Sequence, residues 1–243
     1  MTADGVLTRP DVEVIKRSAG RRLLWLAVLV VVLLVIVVAS VIFGVRAVSL
    51  DDALAALSGG TATAEQAAAA GRLPRTVLGL LAGMSLAIAG GAMQAVTRNP
   101  LAEPGLMGVN AGAAVAVVLS VFIGGVMGIW QYMVVAVIGA AIAAAAVYVL
   151  GRGKDGSIVK LALAGVAISA ALGSFTQGLI LINQDAYNEF RLWVAGSLEG
   201  RGVAIAVAIG PVIAAGVLLA FFVAPAINAL SMGEDAAISL GVS

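Results

Sequence analysis

Long apolar runs, separated by shorter polar segments, set the pattern of this chain. Residues 23–45 pass without a charge and are rich in Val and Leu. Apolar runs follow at 73–97, 106–123, 130–150, 158–182 and 203–223, the first and fourth of them with one charge near the start, Arg75 and Lys160. A helix needs about 20 apolar residues to cross about 30 Å of hydrocarbon, and isolated strands cannot span lipid because their backbone groups stay unpaired. The pattern therefore predicts an all-α polytopic transmembrane bundle of six spans. A polar segment at 1–22 precedes the membrane domain (23–225), and a mixed tail at 226–243 follows it.

The connections have their own signals. Residues 46–71 form a mixed stretch with Asp51, Asp52 and Glu65, in which 50–57 predicts a short interfacial helix broken by Gly59 and Gly60. Pro74 falls near the first turn of the second span, where a missing N–H is tolerated. Gly79, Gly83, Gly90 and Gly91 interrupt that span at spacings that let helix backbones approach in lipid. Arg98, Asn99 and Pro100 end it, and Pro104 and Gly105, with Gly108 behind them, prolong the break. Trp130 and Tyr132 suit an interfacial position at the start of the fourth span. Residues 183–202 make the second substantial connection, and Gly210–Pro211 predicts a kink within the sixth span.

Composition narrows the function. Hydrophobic residues make up 62% of the 243 and charged residues 11%, with 30 glycines and a mean hydropathy of +1.11. These values exclude an ordinary soluble domain and a disordered chain. The formal charge of +1 gives no field for nucleic acid. With neither Cys nor His, thiolate chemistry, sulfur-ligated metal and imidazole bases are absent, and the scattered carboxylates suggest no metal site. Residues 151–157 (GRGKDGS) lack the spacing of a phosphate loop. The first apolar run is too long for a cleaved signal peptide.

An inside N-terminus puts Arg9, Lys16, Arg17, Arg21, Arg22, Arg98, Arg152, Lys154 and Lys160 in the cytoplasm, nine of the fourteen basic residues. The positive-inside bias therefore places both the N-terminus and the 228–243 tail there. No charge sits in the middle of a span, which argues against a carrier coupled to protons or ions.

Three groups of residues suggest function. A Pro- and Gly-rich break cannot face lipid at depth, so Asn99, Pro100, Pro104, Gly105 and Gly108 must lie at the cytoplasmic boundary or against protein and water, and interrupted helices mark transport pathways. Ser169, Ser174, Thr176 and Gln177 give the fifth span polar atoms, for lining a pathway or for hydrogen bonds between helices. In the tail, Ser231 and Glu234 permit a capping box, or else a helix begins only at Gly233 or Glu234. This acidic, amphipathic piece suits a protein partner better than an anionic leaflet.

Five motifs in order then point to one family: RLPR (72–75), AGGAMQAVTRNPLAEPGLMGVNAGA (89–113), LALAGVAISAAL (161–172), LWVAGSLEG (192–200) and NALSMGEDAAISLGV (228–242). The chain resembles the FecCD/BtuC-type permeases, the membrane subunits of ATP-binding-cassette (ABC) importers for ferric siderophores, haem and cobalamin. The resemblance implies a multi-pass protein of the bacterial cytoplasmic membrane. It works as a homodimer, or paired with a close homologue, and each full subunit has ten spans. It implies cytoplasmic ATPase subunits that hold ATP and Mg, an extracytoplasmic substrate-binding protein, and no cofactor or catalysis in the permease itself. Ala229, Leu230, Ser231, Met232, Gly233, Glu234 and Leu240 match the ATPase-coupling segment. Arg72 and Arg75 match the pair that docks the binding protein, although arginines also snorkel at helix ends. The expected cargo is an iron–siderophore-type chelate. The family continues for four more spans, so the chain reads as C-terminally truncated, and a transport-inactive membrane scaffold or regulator is the alternative.

Overall fold

The computed structural model describes residues 10–125, 128–151, 158–198, 202–239 and 241. The described residues form nine α-helices and one 3₁₀ turn, without strands. Clustering of the backbone divides the chain into two units, 1–76 and 77–243, and the boundary falls inside one helix.

The first unit contains α1 (Pro10–Ile42), α2 (Leu50–Leu57) and the opening turns of α3 (Ala64–Thr97). The polar head runs from Pro10 straight into the first span as one helix. Ser49 caps α2 as an Asx/Ser-type N-cap should: its Oγ accepts the Asp52 N–H at 3.1 Å. Val41, Val48, Ala53, Ala56 and Ala69 form a small core, with Ile42 and Leu73 packed on it. The sequence placed the 46–71 connection outside the span and Pro74 in its first turn. Instead the Ala-rich stretch from Ala64 onward is helical, and Pro74 lies well inside α3. Alanine has the highest helix propensity, and one proline removes one intrahelical bond, which the surrounding alanines outweigh.

In the second unit, α4 (Val109–Gly124), α5 (Ile129–Gly151), α6 (Ile158–Ile182) and α7 (Gln184–Ala195) pack on one another, with α4 touching each of the other three. Val117, Val118, Val121 and Val147 are almost wholly shielded. The close α4–α5 approach depends on small residues. A methyl group built on Gly112 would overlap the Gly139 carbonyl and Ala143, and one on Gly139 would overlap the Gly112 carbonyl and Ala116. These are reciprocal small-xxx-small seams, Gly112/Ala116 against Gly139/Ala143, which bring backbones close enough for van der Waals packing in lipid. The α3 glycines behave differently: nothing lies within 4 Å of a methyl group built at Gly83, Gly90 or Gly91.

Two boundaries differ from the sequence reading. The third apolar run yields a 3₁₀ turn (Pro104–Met107) followed by the 16-residue α4. Among the described residues, five helices are therefore long and apolar enough to cross a membrane, with α4 as a shorter sixth. Gly108, at φ 69°, turns the backbone between the two pieces, so the early residues of the predicted span join the break. The last span does not stop at 223. α8 (Val203–Ser231) continues through Pro211 and Pro225, since proline is tolerated inside membrane helices where the backbone groups it frees find other partners. The true stop is Gly233, at φ 122°, and α9 (Glu234–Ser239) begins directly after it. This is the later of the two helix starts that the sequence left open. Ser231 does not cap α9; its hydroxyl donates back to the Asn228 carbonyl at 2.7 Å.

Candidate functional site

At one end of the second unit, the break after α3 meets the end of α8. Thr97, 3% exposed, donates through Oγ1 to the Met93 carbonyl at 2.7 Å. Asn99 donates its N–H to the Gln94 carbonyl at 3.2 Å, and its Oδ1 accepts the Leu101 N–H at 2.9 Å. Pro100 follows in the turn. Pro104 opens the 3₁₀ turn, and Gly108 N–H donates to the Gly105 carbonyl at 3.0 Å. The turn seats on α6 because Gly165 has no side chain: a methyl group there would overlap the Leu106 carbonyl. A tight polar and apolar crevice lined by Met93, Thr97, Asn99, Ala102, Leu106 and Leu161 lies between break and helix. The Pro/Gly segment thus has protein partners for its backbone, as a break inside a membrane protein requires.

The tail residues surround a sharp turn. Ala229 is buried and Leu230 half-buried, whereas Ser231 and Met232 are exposed, Met232 by 63%. Met232 N–H reaches the Ala229 carbonyl at 3.1 Å and Gly233 N–H the Leu230 carbonyl at 3.2 Å. Glu234 supplies the first residue of α9, whose Ala237 is buried and Ile238 exposed. Leu240 lies outside the described residues. Met232 and Ile238 thus offer apolar side chains outward from a turn of fixed backbone. Sequence reasoning did not pick out Arg98 for this site. Its Nε donates to the Leu230 carbonyl at 3.0 Å.

The four polar residues of α6 divide. Ser174 and Gln177, three apart, share an exposed face. Thr176 is 2% exposed and donates to the Leu172 carbonyl at 2.9 Å, serving its own helix. Ser169 is half-buried, its Oγ beside Gly108. A larger feature, which the sequence did not single out, is an apolar groove of about 490 Å³ between the Ser85–Ala92 stretch of α3 and the Val212–Ile227 stretch of α8. Its one polar lining residue, Ser85, donates to the Leu81 carbonyl at 2.7 Å.

In the first unit, three of the five donors of Arg72 are engaged. Nη1 donates to the Val41 and Ile42 carbonyls at 2.8 and 2.9 Å, and Nη2 to the Arg46 carbonyl at 2.5 Å. It therefore caps the C-terminus of α1, where carbonyls have no intrahelical partner. The Ser40 and Thr76 hydroxyls join α1 to α3 nearby at 2.8 Å. Arg75 is half-buried and makes no hydrogen bond or ion pair among the described residues. Arg46 sits 3.8 Å from Glu65 in an exposed pair. No group of three or more acidic, His or Cys residues is placed to hold a metal among the described residues.

Apolar helices of crossing length, with a break seated on protein, define a multi-pass α-helical membrane protein. The chain belongs to the FecCD transport family, which matches residues 32–243. It is 45% identical over 173 residues to the ferric enterobactin transport system permease protein FepD of Escherichia coli, covering 70% of this chain and 52% of FepD. It is 34% identical over 227 residues to the Fe(3+)-citrate import system permease protein YfmD of Bacillus subtilis, covering 93% of this chain and 68% of YfmD. The chain thus spans about half to two thirds of the length of these relatives. A solved structure described as an inward-facing conformation of a metal-chelate-type ABC transporter superimposes with a TM-score of 0.71, over 88% of this chain and 67% of its own. At 22% identity that likeness shows the fold alone.

Proposed function

We propose that this chain is the membrane permease subunit of an ABC importer that moves an iron–siderophore-type chelate across the bacterial cytoplasmic membrane. One observation carries the reading: the family match runs through the α8–Gly233–α9 turn, where exposed Met232 and Ile238 offer a partner an apolar contact. On this reading the N-terminus and the tail are cytoplasmic, in keeping with the basic residues. Ala229, Leu230, Ser231, Met232, Gly233, Glu234 and Leu240 engage an ATPase subunit that holds ATP and Mg. A second copy of the permease, or a close homologue, completes the pathway, and Ser174 and Gln177 on the exposed face of α6 are its best candidates for lining. An external binding protein delivers the cargo.

Arg72 and Arg75 do not share the docking role equally. A guanidinium already donating to three carbonyls has little left for a partner's carboxylate, so Arg75 carries the contact and Arg72 holds the surface beside it. Iron chelates are named for the relatives FepD and YfmD, and this supports the cargo class. In proteoliposomes containing the permease, its ATPase and a binding protein loaded with radio-iron siderophore, uptake should require ATP and survive a protonophore. Uptake that follows an ion gradient without ATP overturns the proposal.

A further inference from the structure

We infer that Arg98 is a positioning residue that pins the α8–α9 turn to the foot of α3, so that movement imposed on α9 reaches α3 through a charge-assisted hydrogen bond. The inference rests on the importer reading above for the source of that movement, and on four observations for the pin itself. First, Arg98 adopts φ 49°, the only non-glycine residue at positive φ among those described. L-residues avoid this region, and a non-glycine residue stays there only when its surroundings over-determine it. Second, those surroundings are visible: Thr97 is buried on one side, and the Asn99 N–H is bonded back to Gln94 on the other.

Third, this backbone directs the Arg98 Nε to the Leu230 carbonyl at 3.0 Å, across 132 residues of chain. Leu230 lies in the last turn of α8, where carbonyls have no intrahelical donor and the helix dipole favours a cation. The same oxygen accepts the Gly233 N–H at 3.2 Å, so the arginine grips the turn from which α9 starts. Fourth, the apolar groove keeps α3 and α8 apart along Ser85–Ala92 and Val212–Ile227, and Leu230 is one turn past Ile227. The two helices stand apart along the groove and are held at its foot.

The test separates backbone shape from reach. Arg98→Asn keeps the left-handed turn, which asparagine tolerates, but is too short to touch Leu230. Arg98→Lys keeps the cation and most of the length. The chain has no cysteine, so spin labels at Val96→Cys and Ile238→Cys, both exposed sites, report the α3–α9 distance in the purified permease. The Arg98→Asn distribution should broaden relative to the parent, and Arg98→Lys should restore it. In the assembled importer, transport per ATP hydrolysed should fall about fivefold in Arg98→Asn, the range expected for a lost coupling contact, and recover by at least half in Arg98→Lys. Identical distance distributions in all three proteins, or an unchanged transport-to-ATP ratio in Arg98→Asn, overturn the pin. A parent complex that neither hydrolyses ATP nor transports counts against the importer reading, and the label distances then decide the pin alone.

Discussion

At the scale of single residues, the same guanidinium group meets two different surroundings in one motif. RLPR reads as a docking pair, yet Arg72 spends three donors on the end of α1 while Arg75 makes no hydrogen bond or ion pair among the described residues. Arg72→Gln should therefore lower stability by about 2 kcal/mol, the scale of hydrogen bonds to a charged group, seen as an earlier thermal midpoint in detergent. Arg75→Gln should leave that midpoint in place and instead weaken binding-protein affinity, measured by titration onto nanodiscs. The reverse pattern would return docking to Arg72. The sequence revealed the cationic pair but not this division, because the Val41, Ile42 and Arg46 carbonyls lie about thirty positions upstream, beyond any local motif. The same holds for Arg98, which the sequence offered only as a loop cation. Its acceptor lies 132 residues away.

At the scale of elements, glycine spacing needed a partner before it meant anything. The α3 glycines were the visible candidates for close packing, and the structure puts the tight seam on α4 and α5 instead. A small-xxx-small spacing identifies a helix that is able to pack closely; which neighbour it meets depends on topology. Gly139→Leu should therefore disrupt the α4–α5 seam by about 3 kcal/mol or more, lowering the yield of monodisperse protein on gel filtration. Gly83→Ala should be neutral or raise stability by up to about 1 kcal/mol, the propensity difference between the two residues in a helix. Equal sensitivity at both positions would refute the seam. The crossing helices themselves were legible, since apolar length alone predicts them. Their ends were less so. Pro74 read as a first-turn residue and the last span as ending at 223, yet α3 begins ten residues before Pro74 and α8 runs on to Ser231, because a proline inside a helix removes only a single backbone hydrogen bond.

For the whole molecule, the importer proposal puts the exposed turn at Met232 on the cytoplasmic side. A single cysteine at Met232, in a chain that otherwise has none, should react with a membrane-impermeant maleimide only in inverted vesicles. It should be protected when the ATPase is present. Labelling in right-side-out cells would reverse the orientation read from the basic residues. Family and fold class were legible from five motifs and a hydropathy pattern, and the matched span, 32–243, covers all five. The cargo was not legible, because polar groups such as Ser174 and Gln177 are suited to many solutes and single out none.

One element joins these scales. At 29 residues, α8 is about 43 Å long, well beyond the about 30 Å of hydrocarbon it must cross. A tilt of about 10° therefore swings its two tips about 7 Å relative to each other. A continuous helix of that reach links the two faces of the bilayer mechanically: on the importer proposal, a displacement imposed at one tip appears as an opposite displacement at the other, with no chemical messenger passing between them.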